Sequence, residues 1–256
     1  MSVTGSALVA PRVVASDLDG TLLRSDGTLS ARTRDAISAV EARGITVIFV
    51  TARPPRRLDG LADAVGPHGI ALCGNGAFVY DVFSRTVVEE HPLEASVVLR
   101  LTADLRAVLP TITFAVERAD GGGPIEHLVA SPVGKLLARC DGVDPAEFHA
   151  IVAETVVGRA TLAYSGAVGL AEITAKGVTK AAGLTRWCDV HGIDPVDVWA
   201  FGDMPNDLPM LIWAGTSFAV ENAHPDVLDA AEHVCPMNDE DGVAQMLELL
   251  GREDRP

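Results

Sequence analysis

The segment Ile45-Thr46-Val47-Ile48-Phe49-Val50 is apolar or β-branched at every position. A strand without a polar face needs cover on both sides, which is the condition of a parallel sheet with helices above and below it. Val13-Val14-Ala15 and Val196-Asp197-Val198-Trp199-Ala200-Phe201 read as further strands of this kind. Between the first two strands lies a helical stretch that Ser30 can cap and that Gly44 stops after about Arg43. A helix near Pro55 to Val65 and an apolar segment from Gly69 to Cys73 extend the alternation to the turn Gly74-Asn75-Gly76-Ala77. The pattern predicts an α/β fold with a doubly wound, mostly parallel sheet.

From about Asp81 to Glu172 the pattern changes. Short strands are predicted over Thr86 to Glu90, Thr111 to Glu117, Ile125 to Ala130, Lys135 to Cys140, Arg159 to Tyr164 and Val168 to Ile173. Two helices, Glu94 to Leu109 and Asp144 to Val157, are placed among them, with Ala119-Asp120-Gly121-Gly122-Gly123-Pro124 as the most flexible loop. This reads as a smaller α+β unit inserted into the first architecture. The α/β pattern resumes with a helix from Val178 to Gly192, the strand ending at Phe201, a helix over Leu208 to Trp213 and a strand near Ser217 to Val220. Helices over Pro225 to Ala231 and Gly242 to Leu250 close it. The expected organisation is a core over residues 1–80, an insert over 81–172 and the rest of the core over 173–256.

A chain of 256 residues, 48% hydrophobic and 21% charged, has material for a large core and little for long disordered tracts. Its net charge of −15 argues against a broad nucleic-acid or anionic-membrane surface, which needs clustered Lys and Arg. Cys73, Cys140, Cys188 and Cys235 form no Cys-x-x-Cys pair, so neither a zinc ribbon nor a disulfide framework is indicated. Met1 to Arg12 lacks the pattern of a signal peptide, and no apolar run reaches the ~18 residues of a membrane span. A soluble cytoplasmic protein is expected, either monomeric or a small homo-oligomer.

Acidic residues collect where the apolar strands end. Asp17 and Asp19 follow the first strand, and residues i and i+2 of an extended chain share a face, roughly 6.6 Å apart. A solvated Asp-Gly turn would need nothing more. Carboxylates aimed together, however, need a shared proton or a cation such as Mg²⁺, which favours hard oxygen ligands. An EF-hand loop is excluded, because Leu22 and Thr28 stand where Gly and Glu are required. Thr51 closes the second strand, and Asp203, Asn206 and Asp207 follow the strand that ends at Phe201. In an open parallel sheet this is the edge where ligands bind. Lys180 opens a helix, where the macrodipole disfavours a cation, so an anionic neighbour would account for its position. Acids, a lysine and a threonine at one edge have the charge arrangement of a phosphoryl-transfer site.

With these residues assembled, the sequence resembles the haloacid dehalogenase superfamily of phosphatases, in particular its Cof-type members. Asp17-Leu18-Asp19-Gly20-Thr21-Leu22-Leu23 is similar to the family's first motif and Thr51-Ala52-Arg53 to its second. Lys180 in Lys176-Gly177-Val178-Thr179-Lys180 matches the third, and Gly202-Asp203-Met204-Pro205-Asn206-Asp207 the fourth. A cap-sized insert lies between the second and third motifs. Asn75-Gly76-Ala77 and Asp239-Glu240-Asp241-Gly242-Val243-Ala244 also look like this subgroup. Ala52 departs from the pattern, since many relatives carry Gly there.

The resemblance implies a Rossmann-like core with an inserted α+β cap, and a Mg²⁺-dependent hydrolase of a small phosphate ester such as a sugar phosphate. It implies that Asp17 is the nucleophile that forms an aspartyl-phosphate and that Asp19 is the general acid and then the base. Mg²⁺ would be held by Asp17, the Asp19 backbone carbonyl and Asp203, with Asn206 and Asp207 supporting. Thr51 and Lys180 would bind the phosphoryl group. Leaving-group recognition would fall to the cap, where Arg118, His127 and Lys135 are polar candidates. The alternatives are a phosphomutase or a specialised glycosyl-phosphate phosphatase on the same core, and a phospho-accepting domain without turnover.

Overall fold

The computed structural model describes residues 8–58, 60–61, 69–125 and 132–250. The strands are β1 (Val13–Ser16), β2 (Thr46–Val50), β3 (Ile70–Cys73), β4 (Phe78–Asp81), β5 (Thr86–Glu90), β6 (Thr113–Arg118), β7 (Gly121–Pro124), β8 (Lys135–Arg139), β9 (Ala160–Ala163), β10 (Leu170–Ala175), β11 (Val198–Gly202), β12 (Thr216–Val220) and β13 (His233–Cys235). The helices are α1 (Ala31–Glu41), α2 (Ala95–Val108), α3 (Pro145–Val156), α4 (Lys180–His191), α5 (Leu208–Trp213), α6 (Pro225–Ala230) and α7 (Gly242–Leu250).

An eight-stranded sheet has the order β13-β12-β11-β1-β2-β3-β4-β5. It is parallel from β13 to β3, and β4 and β5 add antiparallel strands at one edge. Every residue of β1 and β11 is buried, as the absence of a polar face in those strands requires. The helices that cover the sheet pack in two groups, α1 with α7 and α4 with α5. From β1 the chain winds outward through β2 and β3, and it later returns to β11 on the other side of β1. The winding therefore reverses at β1, which makes the carboxyl ends of β1, β2 and β11 the expected binding edge.

The insert forms a five-stranded antiparallel sheet, β7-β6-β8-β10-β9. One face of this sheet packs Val116, Leu136, Ala138, Ala171 and Ile173 against residues of α2 and α3 in a second hydrophobic cluster. The opposite face carries Glu117, Lys135 and Glu172. Glu117 pairs directly with Lys135, and Glu172 pairs with Leu137, two residues along β8 from Lys135, so all three share that face.

Local departures from the sequence reading have physical causes. Thr86–Glu90, predicted inside the insert, pairs with β4 and so extends the large sheet. Gly121–Pro124, read as the flexible loop, is a strand joined to β6 by the two-residue turn Ala119-Asp120. It lies at a sheet edge, where glycines and a proline that cannot donate to the ladder are tolerated. The helix predicted from Pro55 begins as a single 3₁₀ turn, Pro55–Arg57, and residues 62–68 lie outside those described. So do residues 126–130 of the strand predicted from Ile125, and with them His127. The strands β4 and β13 went unpredicted, the latter because three residues carry no periodic signal.

Candidate active site

The first strand stops at Ser16, and the chain turns through Leu18 to Gly20 instead of remaining extended. Asp17 and Asp19 therefore do not stand as an equivalent pair. Asp17 is buried and accepts a hydrogen bond from Lys180 Nζ at 2.8 Å, whereas Asp19 is 57% exposed at its side chain. Asp19 is held by Arg53, whose Nε and Nη2 reach its two oxygens at 2.7 and 2.5 Å. This bidentate fork is the strongest geometry for an arginine and a carboxylate. Arg53 was not assigned a role from the sequence, although its place two residues after Thr51 could have suggested one.

The crowded carboxylates are Asp17, Asp203 and Asp207, each of which offers an oxygen within 4.8 Å of the others. Lys180 Nζ bridges Asp17 and Asp207, donating to Asp207 Oδ1 at 2.7 Å. The second oxygen of Asp207 accepts from the backbone N–H groups of Asp203 and Met204, at 3.2 and 3.0 Å. Asp207 is thus fully used inside the protein. Asp203 Oδ1 accepts from Thr21 Oγ1 at 2.9 Å, a contact that the Asp-x-Asp-Gly-Thr spacing alone did not reveal.

Electrostatics follow from this burial. Desolvation, reinforced by Asp207 and Asp203, pushes the Asp17 carboxyl well up, against the opposing pull of Lys180. Burial and then Asp207 push Asp203 up to about 6. Burial opposes the charge on Lys180, yet Asp17 and Asp207 outweigh it and hold the ammonium charged. Three buried carboxyl groups face one lysine, so ionising all of them calls for a further cation, and the donor set is all oxygen. Such a set fits a hard divalent cation.

Two glycines make the site possible. Gly20 has φ +80°, and a Cβ there would lie 2.4 Å from Asp203 Oδ2. Gly76 has φ +92°, and a Cβ there would lie 2.6 Å from the Thr179 carbonyl oxygen. Thr179 caps α4 through its side chain, which accepts from Ala182 N–H, so this close approach sets the start of the helix that bears Lys180.

A cavity of about 320 Å³ opens above these groups. Asp17, Asp19, Lys180 and Asn206 line it from the core side with Arg53, and Glu117, Lys135 and Glu172 from the insert. Thr51 is buried at the end of β2, where its Oγ1 accepts from Arg53 N–H at 3.1 Å. Arg118 pairs with Asp120 at 3.3 Å. Lys135, a candidate for leaving-group recognition, is 2% exposed and engaged by acceptors of the protein itself. No helix among the described residues is long and apolar enough to cross a membrane.

The family model described as haloacid dehalogenase-like hydrolase matches residues 14–122 and 124–247. Among curated proteins, the chain is 28% identical over 283 residues to the Bacillus subtilis 5-amino-6-(5-phospho-D-ribitylamino)uracil phosphatase YwtE, covering 93% of this chain and 98% of that one. It is 28% identical over 267 residues to the Escherichia coli pyridoxal phosphate phosphatase YbhA, covering 92% and 97%. The structure of BT1666 from Bacteroides thetaiotaomicron, described among phosphatases of the haloalkanoate enzyme superfamily, superposes with a TM-score of 0.82 at 23% identity, over 96% of this chain and 99% of that one. That likeness shows the shared fold. Matched almost from end to end, the chain belongs to the haloacid dehalogenase-like hydrolase family, within its Cof-type group.

Proposed function

We propose that this protein is a phosphoric monoester hydrolase that requires Mg²⁺ and acts on a small phosphorylated metabolite, a sugar phosphate or a similar ester. The observation that carries this reading is the buried cluster of Asp17, Asp203 and Asp207 with Lys180, beneath a cavity whose rim bears Asp19. The relatives named above act on phosphate esters of small metabolites, by their names a ribitylaminouracil phosphate and pyridoxal phosphate.

In this reading Asp17, Asp203 and the Asp19 backbone carbonyl would hold Mg²⁺, with Asn206 and Asp207 supporting. When bound, the cation offsets negative charge that builds on the phosphoryl oxygens. Lys180 and Thr51 bind the phosphoryl group, and Lys180 also orients the Asp17 carboxylate. An Asp17 oxygen attacks phosphorus as the bond to the leaving oxygen breaks, and Asp19 donates its proton to that oxygen. Asp19 then takes a proton from water, which attacks the aspartyl-phosphate, releases inorganic phosphate and restores Asp17. The leaving group would sit in the cavity of about 320 Å³, between side chains of the core and of the insert. We further propose that the insert serves as a cap, which excludes water while the phosphoryl group is transferred.

The test is phosphate release from a chromogenic monoester and a panel of sugar, nucleotide and cofactor phosphates, with Mg²⁺ or EDTA. Turnover should require Mg²⁺ and vanish in Asp17→Asn, and Asp19→Asn should lose roughly 10²–10⁴-fold. Isomer formation without phosphate release would identify a mutase. A metal-loaded, folded protein that turns over none of the panel would overturn the reading.

A further inference from the structure

The face of the insert's sheet that looks toward the core carries three charged residues in a row, and each reaches one residue of the core. Glu117 meets Arg56 at 3.4 Å, Lys135 donates to the Ala52 carbonyl at 2.7 Å, and Glu172 accepts from Asn75 Nδ2 at 3.1 Å. Lys135 also donates to Glu172 Oε1 at 2.8 Å. Its third neighbour, Glu117 Oε2 at 3.2 Å, lies off the hydrogen-bonding direction and is held as an ion pair. Two of the ammonium's three donors are thus spent on acceptors of the protein itself.

The core partners belong to the loops after β2 and β3. Successive carbonyls of the first loop have separate donors: Thr51 from Asn75 N–H, Ala52 from Lys135, and Arg53 from Gly74 N–H. Of these, only the bond to Ala52 comes from the insert. Asn75 sits at φ 59°, is 1% exposed, and accepts from Asn206 Nδ2 at 3.3 Å through its own Oδ1. The insert is thereby tied to the stretch that presents Thr51 and Arg53, and through Asn75 to the turn that holds Asp207. Ions buried as thoroughly as Lys135 and Glu172 return little net stability for their desolvation.

We infer that Lys135, with Glu172, is a positioning pair that registers the insert on the Thr51–Arg53 loop, so that closure over the cavity and the setting of that loop are one event. This rests on the reading of Thr51 as a phosphate ligand. If the two are coupled, inorganic phosphate bound at the loop must also favour the docked insert, by the reciprocity of linked equilibria.

The experiment is amide hydrogen exchange on the full-length protein with Mg²⁺, with and without inorganic phosphate, for wild type, Lys135→Met, Lys135→Arg and Glu172→Gln. Kinetics on p-nitrophenyl phosphate accompany it. In wild type, phosphate should slow exchange both in residues 51–57 and across β8. In Lys135→Met, residues 51–57 should exchange several-fold faster while β1 and β11 stay unchanged, and phosphate should no longer protect β8. The kcat should fall roughly tenfold to a hundredfold, as expected of misplaced reacting groups, and Lys135→Arg should recover part of it. Glu172→Gln preserves volume and should show a smaller effect in the same direction, which decides the matter if Lys135→Met does not fold. Unchanged exchange in residues 51–57, or protection of β8 that persists in the variants, overturns the inference. A wild type that shows neither turnover nor protection by phosphate overturns the proposed function, while the basal exchange of residues 51–57 in the variants still decides whether Lys135 sets the loop.

Discussion

Lys180 and Lys135 are both 2% exposed, and each stands between two carboxylates, yet they serve different ends. Both acceptors of Lys180 lie at the binding edge of the large sheet, Asp17 after β1 and Asp207 after β11. Lys135 divides its bonds between its own sheet and a carbonyl of the core. The first lysine offsets charge within one sheet edge, and the second ties the sheet of the insert to a loop of the core. A buried ion pair thus builds a site when its partners are fixed together and an interface when they are not.

Removing each ammonium tests the contrast most severely. Lys180→Met leaves Asp17 and Asp207 buried without a counter-charge and should cost about 3–5 kcal/mol in urea unfolding measured in EDTA. Lys135→Met leaves Glu117 with Arg56 and Glu172 with Asn75, and should cost about 2 kcal/mol. Equal losses would erase the distinction. The carboxylates give a second comparison. Asp207→Asn weakens both the hold on Lys180 and the bonds to the Asp203 and Met204 N–H groups, and should lower kcat/KM roughly 10³-fold. Glu172→Gln should lower it only about tenfold.

The smallest effect is the dependence on pH. Asp203 has its pKa raised to about 6 from an ordinary value of 3.8. The folded, metal-free protein therefore holds a proton there that the unfolded chain has already released. This group's contribution to metal-free stability falls as pH rises from about 4 through 6, and the carboxylate that a cation needs appears over the same range. Thermal stabilisation by Mg²⁺ should be slight at pH 5 and should reach roughly 5–10 °C at pH 7.5, at a hundredfold excess over Kd. A shift that is flat between these values would break the link between ionisation of the buried Asp17 and Asp203 carboxyls and cation binding.

The sequence by itself pointed to the parallel core, because strands with no polar face that alternate with helices need cover on both sides, and β1, β2 and β11 are buried nearly throughout. It also singled out Asp17, Asp19, Lys180, Asp203 and Asp207, since acids after apolar strands and a lysine opening a helix are local signals. Tertiary structure alone decided how those acids divide. The turn after Ser16 sends Asp17 inward to Lys180 and Asp19 outward to Arg53, and no spacing rule encodes that divergence. It also decided the role of Lys135. Its position on β8 reads as a polar residue in a short strand, and only the cross-strand register with Glu117 and the docking of the insert on Ala52 turn it into a bridge. Chain-local patterns specify which face a residue occupies; which carbonyl lies opposite depends on two separately folded layers meeting, and that information is not local.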